Sequence, residues 1–163
     1  MRVLDQEVSA LSEAAARRFR IANLGLVFQE FELLDYLTVA ENVLLPFRVS
    51  TALELTSAIR DRVGELANET GIHHLLDAYP RAISQGERQR VAICRALITR
   101  PRLILADEPT GSLDPDNQRR IVALLRASAA SAEAGLIMVT HDHELLAQFE
   151  RVIDVTELVE ARA

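Results

Sequence analysis

Lysine is missing from this sequence, in which all 18 basic residues are arginines. A phosphate-binding loop of the form G-x-x-x-x-G-K-S/T requires a lysine, so these 163 residues cannot form one. The six glycines do not supply even the G-x-x-x-x-G frame of that loop. The single cysteine excludes an internal disulfide framework, and we expect Cys94 to be a buried thiol.

Other scarcities narrow the class of protein further. The net charge of -6 argues against binding nucleic acid, which rests on clustered basic charge. No apolar run approaches the roughly 20 residues that cross a bilayer, so any membrane connection is expected through a partner. With 49% hydrophobic residues, the chain is predicted to be one globular domain with a sizeable core.

Short apolar runs mark the strands of an expected sheet. Gly25 to Phe28, Leu103 to Ala106 and Leu136 to Val139 are continuous and apolar, which is typical of strands covered on both faces. Val152 to Val155 predicts a weaker last strand. Helical patterns separate the runs, so we predict an α/β fold with a parallel sheet and right-handed crossovers. Residues 31–83 are broken by prolines and carry helical periodicity, which predicts a helical insertion.

Polar residues follow two of the predicted strands. Asp107 and Glu108 come directly after one strand, and His141 follows the next. Parallel strands end at the same edge of a sheet, where open α/β sheets bind ligands. One carboxylate there can hold Mg²⁺, and the other is free to deprotonate a water molecule. The pair His73-His74 and His143 lack a third ligand at useful spacing, so we expect no metal site there.

Two helix starts carry side chains that can cap them. Ser84 with Glu87 three residues later forms the S-x-x-E capping box. Asp114 followed by Pro115 predicts an N-cap and a first helical residue. The N-terminus of a helix offers free N–H groups and a positive dipole end, which attract anions.

Two segments resemble the ATP-binding-cassette (ABC) ATPases. Leu103 to Asp114, LILADEPTGSLD, resembles the Walker B and D-loop segment, and Ile83 to Leu97, ISQGERQRVAICRAL, resembles the signature motif with its following helix. Gln85 stands where the family usually has glycine, and Glu87 where glutamine is commonest. His141 resembles the switch histidine and Gln29 the Q-loop glutamine. The fold implied is a partial P-loop NTPase core with a helical subdomain at 31–83.

The resemblance implies roles for these residues. Glu108, His141 and Gln29 would be catalytic, and Asp107 with Gln29 would hold Mg²⁺. The remaining predicted residues would contact ATP across an interface with a second ABC ATPase domain, identical or different: Ser84, Gln85, Gly86, Glu87 and Asp114. The partner would be a membrane permease, which would place the protein on the cytoplasmic face of the membrane. Segment Phe31 to Phe47, FELLDYLTVAENVLLPF, resembles lipoprotein-release and macrolide-export ATPases and is expected to contact that permease.

The resemblance covers only part of the family's domain, so residues 1–163 are expected to form one incomplete nucleotide-binding domain that is inactive alone. A second interpretation is a non-hydrolytic module that lends Ser84 and Gly86 to a complete partner ATPase. A third is a chromosome-maintenance or DNA-repair ATPase. Those insert a long coiled coil between the Q-loop and the signature, whereas only residues 30–83 intervene here and show no sustained heptads.

Overall fold

The computed structural model describes residues 1–111 and 113–155. In chain order the strands are β1 (Arg2–Val3), β2 (Gln6–Glu7), β3 (Leu24–Val27), β4 (Leu103–Asp107) and β5 (Gly135–Val139). The helices are α1 (Glu13–Asn23), α2 (Val39–Val43), α3 (Leu45–Val49), α4 (Ser57–Glu69), α5 (Gln85–Leu97), α6 (Pro115–Ser131) and α7 (His143–Leu146). Short 3-10 turns lie at Val8–Ala10, His73–Leu75 and Pro80–Ala82.

The central sheet is parallel, with the strand order β3-β4-β5. Leu26 pairs with Leu105, and Leu105 pairs with Ile137. Because α5 leads into β4 and α6 leads into β5, the strands form successive βαβ units. The predicted α/β class with a parallel sheet is confirmed. A separate antiparallel hairpin joins β1 to β2.

Helix α5 is the centre of the core. One apolar stripe of this helix is buried, with Val91, Cys94, Leu97 and Ile98 at most 2% exposed. The helix packs against β3, α2, α4 and α6, and the Thr70 hydroxyl lies 3.2 Å from the Cys94 thiol. Burial raises the pKa of Cys94 to about 11. The cysteine is therefore a buried thiol, as predicted.

The segment at 31–83 contains only helical elements among its regular structure. Thr38 and Glu41 form a reciprocal capping box at the start of α2. Asn42 is fully buried, and its side-chain Oδ1 accepts a hydrogen bond from the Leu34 backbone amide at 2.8 Å. Its side-chain Nδ2 donates to three backbone carbonyls of the preceding loop. These bonds fix the loop between β3 and α2. That the segment is a separate subdomain stays a prediction.

Three strand predictions need correction. In β5, Ile137 and Val139 are each 55% exposed, although the run was expected to be buried. Leu136 and Met138 pack against the core from one face of β5, whereas Ile137 and Val139 alternate to the other face, which the described residues leave open to solvent. In β4, Ile104 and Ala106 are buried, but Leu103 and Leu105 on the other face are half-buried.

Residues 152–155 form no strand, which contradicts the prediction made for Val152 to Val155. Val152, Ile153 and Val155 are all more than half exposed. A strand requires a neighbour to satisfy its backbone groups, and none of the described strands lies beside this segment. Over the part of the chain that the structure describes, no helix has the length and apolar character needed to cross a membrane.

Candidate functional site

Glu108 and His141 meet at the carboxyl edge of the sheet, as predicted from the parallel strands. The Glu108 amide donates to the Val139 carbonyl at 3.0 Å, which ties the end of β4 to the end of β5. The His141 amide donates to Glu108 Oε1 at 3.0 Å, and His141 Nδ1 lies 2.7 Å from the same oxygen. The hydrogen bond with Glu108 raises the pKa of His141. The Glu108 carboxylate and the His141 imidazole are therefore in direct hydrogen-bond contact at this edge of the sheet.

The backbone at Glu108 is strained. Its φ of 44° lies in the left-handed region, which is unfavourable for a residue with a Cβ. Such a residue costs on the order of 1–3 kcal/mol and persists only where its surroundings hold it. Here the Val139 and His141 bonds do so. The Glu108 side chain is only 20% exposed, so its carboxylate is partly shielded from solvent.

Gln29 and Asp107 complete this cluster. The structure places Gln29 beside the loop after β4, because a Cβ added to Gly111 would lie 3.0 Å from Gln29 Nε2. Asp107 is exposed at the end of β4, and its carboxylate has no ion pair within the described residues. No group of three or more His, Cys, Asp or Glu side chains in residues 1–111 and 113–155 could hold a metal ion.

The oxygen atoms of Asp107 and Gln29 suit Mg²⁺, but they are too few to hold a metal ion by protein ligands alone. Magnesium in phosphate-handling sites typically takes one or two carboxylates, while waters and substrate phosphate oxygens supply the rest. Asp107 offers a carboxylate that is not engaged with a described cation, and Gln29 offers an amide oxygen. The predicted metal residues are thus compatible in chemistry with Mg²⁺.

The five predicted ATP-contact residues share a second location, a surface cavity of ≈ 590 Å³. The cavity lies between the N-termini of α5 and α6. Its lining residues are Gly71, Ser84, Gln85, Gly86, Glu87, Arg90, Leu113, Asp114, Asn117 and Ile121. A Cβ added at Gly86 would meet nothing within 4 Å, so the cavity is open above this residue.

Glu87 occupies part of the α5 N-terminus itself. Its Oε2 accepts hydrogen bonds from the Ser84 amide at 2.8 Å and from the Ser84 hydroxyl at 2.7 Å. These bonds lower the pKa of Glu87, so the carboxylate is charged at neutral pH. The amides of Gln85 and Gly86, in the first turn, have no acceptor within the helix and are available to an anion.

Asp114 supplies a second carboxylate to this cavity. It accepts from the Asn117 amide at 3.1 Å and from the Asn117 side chain at 2.6 Å, and the backbone bond is the main cause of its lowered pKa. Arg90 brings the compensating positive charge, and its Nη1 donates to the Thr70 carbonyl at 2.7 Å. Arg90 and Asn117 were not predicted. Their spacing in the sequence could have identified them, because Arg90 lies three residues after Glu87 and Asn117 three residues after Asp114, and residues three apart on a helix are neighbours.

The residues that line the Ser84 cavity do not include Glu108 or His141. No hydrogen bond or ion pair within residues 1–111 and 113–155 joins Glu108 or His141 to Ser84 or Asp114. The Glu108 cluster can position water and a cation. The Ser84 cavity offers backbone N–H groups to an anion.

Comparisons with known proteins agree with this geometry. The ABC transporter family model matches residues 2–111. The chain is 40% identical over 146 residues to a lipoprotein-releasing system ATP-binding protein of Psychrobacter arcticus. This alignment covers 90% of this chain and 64% of that protein. The chain is also 40% identical over 148 residues to a macrolide export ATP-binding/permease protein of Rhodopirellula baltica, covering 90% and 22%.

A solved structure resembles the fold as well. The dimeric, post-hydrolysis form of the ATP-binding cassette MJ0796, bound to ADP and Pi, superposes with a TM-score of 0.76 at 31% identity. The superposition covers 88% of this chain and 63% of that one. The chain thus spans less than two thirds of the length of each of these relatives. The predicted P-loop NTPase-like α/β fold is confirmed.

Proposed function

Because this chain belongs to the ABC transporter family, we propose that it acts as the ATP-binding part of a transporter, in which ATP hydrolysis drives a membrane permease. The observation that carries the proposal is the 2.7 Å contact between His141 Nδ1 and Glu108 Oε1 at the carboxyl edge of the sheet. A carboxylate held by a histidine beside an exposed Asp107 is an arrangement suited to phosphoryl transfer to water.

The chain's own groups would divide the work. Glu108 Oε1 is engaged by His141, so Oε2 is the oxygen that would accept a proton from the attacking water. His141 would fix the orientation of Glu108 and face the γ-phosphate. Asp107 and Gln29 would hold Mg²⁺, which when bound offsets the negative charge of the phosphates.

The cavity at Ser84 would receive the ATP of a second domain. Its open Gly86 and free first-turn amides are separate from the Glu108 cluster, which is expected if each chain contributes to two different nucleotides. The related MJ0796 cassette is described as dimeric. We therefore propose a second ABC ATPase domain and a permease as partners, with the protein peripheral on the cytoplasmic side of the membrane.

The names of the relatives favour transport of the lipoprotein-release or macrolide-export type. Within segment 31–47, Tyr36 is 74% exposed at the loop held by Asn42. We propose this loop as one contact with the permease. Substituting Tyr36→Glu should reduce co-purification with the permease without unfolding the chain, since the side chain is in solvent.

ATP hydrolysis should not occur in the 163-residue polypeptide by itself, because it carries no lysine for the phosphates. This favours, as a second candidate, a non-hydrolytic module that lends Ser84 and Gly86 to a complete ATPase. Adding the chain to a complete relative separates the two functions. Stimulated hydrolysis by the relative supports the second candidate.

A fusion tests the first candidate. A phosphate-loop segment joined ahead of Met1 should give Mg²⁺-dependent hydrolysis, and Glu108→Gln in that fusion should bind ATP yet turn over about 10²–10⁴-fold more slowly. A Glu150→Gln fusion is a matched control, because that carboxylate is exposed beyond α7, does not line the Ser84 cavity and is not in the Glu108–His141 contact. Unchanged turnover in the Glu108→Gln fusion would rule out its role as the base.

A further inference from the structure

The guanidinium of Arg95, on α5, binds the turn that follows Gln29. Its Nη2 donates to the Phe31 carbonyl at 2.6 Å, and its Nη1 donates to the Glu32 carbonyl. These bonds join positions 64 and 63 residues apart in the chain, so only the fold brings them together. Burial lowers the pKa of Arg95, and both of its acceptors are backbone oxygens. The contact is therefore made with the shape of the turn and does not depend on which side chains the turn carries.

The backbone of this turn is strained. Phe31 and Glu32 have φ values of 60° and 50°, in the left-handed region that is unfavourable for residues with a Cβ. Residues in such conformations persist where the surrounding structure holds them. The amides of Phe31 and Glu32 donate to carbonyls at most three residues earlier, so these bonds do not fix the turn to the core. Arg95 supplies a link to the core, because its neighbours Cys94 and Ala96 on α5 are buried.

The side chain of Gln29 depends on this turn for its direction. Gln29 is exposed, and its side chain takes part in no hydrogen bond within residues 1–111 and 113–155. It lies over Gly111, where an added Cβ would be 3.0 Å from Gln29 Nε2 and 3.4 Å from its Cδ. The Gly111 amide donates to the Glu108 carbonyl at 3.1 Å. The backbone around Gln29 thus decides whether its amide stays beside the Glu108 cluster.

We propose that Arg95 is a positioning residue for Gln29. By binding two successive carbonyls, its guanidinium holds the turn in the strained conformation that keeps the Gln29 amide over Gly111. Arg95 acts through the backbone, since it neither lines the Ser84 cavity nor takes part in the Glu108–His141 contact. The inference rests on the proposed function, because it concerns a side chain that would hold Mg²⁺ there.

The two-carbonyl contact specifically requires an arginine. A guanidinium is planar and presents donors from two nitrogens in a fixed geometry, whereas a lysine ammonium is a compact point charge on a flexible stem. Arg95→Lys therefore keeps the charge and most of the apolar stem, but it loses the two-point contact with the turn. Arg95→Ala removes the contact altogether.

Arg88 provides a matched control on the same helix. Its Nε donates to the Pro80 carbonyl at 2.8 Å, so Arg88→Ala also removes an arginine–carbonyl bond. That bond does not involve the turn after β3. Urea unfolding measures the stability that each variant loses. A difference between the Arg95 and Arg88 variants in the position of Gln29 then reports on the turn and not on general loosening of α5.

NMR spectroscopy of the purified 163-residue chain tests the proposal. The parent should show a nuclear Overhauser effect between the side-chain amide protons of Gln29 and the α-protons of Gly111. The effect should persist in Arg88→Ala, weaken in Arg95→Lys and disappear in Arg95→Ala. The Glu32 amide should exchange with solvent roughly 10- to 100-fold faster in Arg95→Ala, the range for loss of a hydrogen bond from a charged donor.

Two NMR outcomes would overturn the proposal. One is an unchanged effect between Gln29 and Gly111 in the folded Arg95 variants, and the other is an equal loss of it in Arg88→Ala. Arg95→Lys decides the question if Arg95→Ala does not fold, because the lysine keeps the charge and the stem.

The phosphate-loop fusion adds a functional measurement. Arg95→Lys in the fusion should lower turnover by up to about 10²-fold, the cost of a misplaced group, with ATP binding little changed. Parental turnover despite a lost contact between Gln29 and Gly111 would also overturn the proposal. A parent fusion that does not hydrolyse ATP would count against the proposed function instead, and the NMR result would still decide the role of Arg95.

Discussion

Replacing Gly25 with alanine should destabilise the protein, because β3 and α5 approach each other most closely at this residue. A Cβ at position 25 would lie 2.6 Å from the Ala96 carbonyl oxygen, 3.1 Å from Pro101 Cγ and 3.2 Å from the Ala96 carbonyl carbon. Two of these atoms belong to the backbone of α5, so no side-chain rotation relieves the contact. The helix and strand would have to separate.

Overpacking of a tight core costs typically about 1–3 kcal/mol. A domain is stable by roughly 5–15 kcal/mol in total, so the change is a substantial part of it. Gly64→Ala provides the matched control. Gly64 lies inside α4, and the nearest atom to its added Cβ is His73 Nε2 at 3.9 Å. Alanine there should stabilise the protein by up to about 1 kcal/mol, because glycine is the weaker helix former.

Urea unfolding monitored by circular dichroism measures both variants. We expect the midpoint to fall for Gly25→Ala and to rise for Gly64→Ala, with unchanged slopes. Ser84 caps the N-terminus of the same helix, so movement of α5 away from the sheet should also shift the Ser84 cavity. A Gly25→Ala protein as stable as the parent would refute the close approach of α5 to β3.

Three further predictions concern individual side chains. Glu87→Gln keeps the capping geometry and removes a charge from the cavity, so inorganic phosphate should stabilise the variant more than the parent in thermal unfolding, at a cost of about 0.3–1 kcal/mol in the absence of phosphate. The raised pKa of His141 means that its contribution to stability is complete below its ordinary value of 6.5 and is lost as the pH rises through the folded value; an NMR titration should show Glu108→Gln returning the midpoint toward 6.5. Cys94, with a pKa of about 11, should resist iodoacetamide in the native protein at pH 8 and react once urea unfolds it. Prompt alkylation of the native thiol, or an unmoved His141 midpoint, would contradict the contacts described.

Local sequence patterns predicted the parts of the fold that depend on local chemistry. The capping box at Ser84 and the N-cap at Asp114 are both formed, because their side chains bond amides only three residues away. The meeting of Glu108 with His141 was predictable from parallel strands. Strand β3 covers Leu24–Val27, one residue earlier at each end than the predicted run from Gly25 to Phe28, since an apolar run does not mark where pairing starts and stops.

Features set by distant neighbours were not predictable. Leu136 to Val139 is as apolar as the run in β4, yet two of its side chains are exposed because burial depends on what covers a strand. Helix α1 has no buried residue and so carries little hydrophobic signal. Its arginines, read along the sequence, resemble an ordinary solvated face. Only the fold brings them opposite Leu45 and Val49 across a groove.

The most direct test of the account mixes two inactive variants of the phosphate-loop fusion. Gly86→Asp fits the open space above α5 and suits the first turn of a helix, but it places a negative charge where the phosphate of a second chain would bind. Glu108→Gln removes the base and leaves the Ser84 cavity intact. In a mixed dimer, one nucleotide would lie between the unaltered Glu108 cluster of one chain and the unaltered cavity of the other.

The measurement is ATP turnover of each variant and of their equimolar mixture. We predict that neither variant alone hydrolyses ATP appreciably and that the mixture regains activity, because the two clusters act on one nucleotide from different chains. A mixture that stays inactive, although both variants bind ATP and form dimers, would contradict the assignment of the two sites.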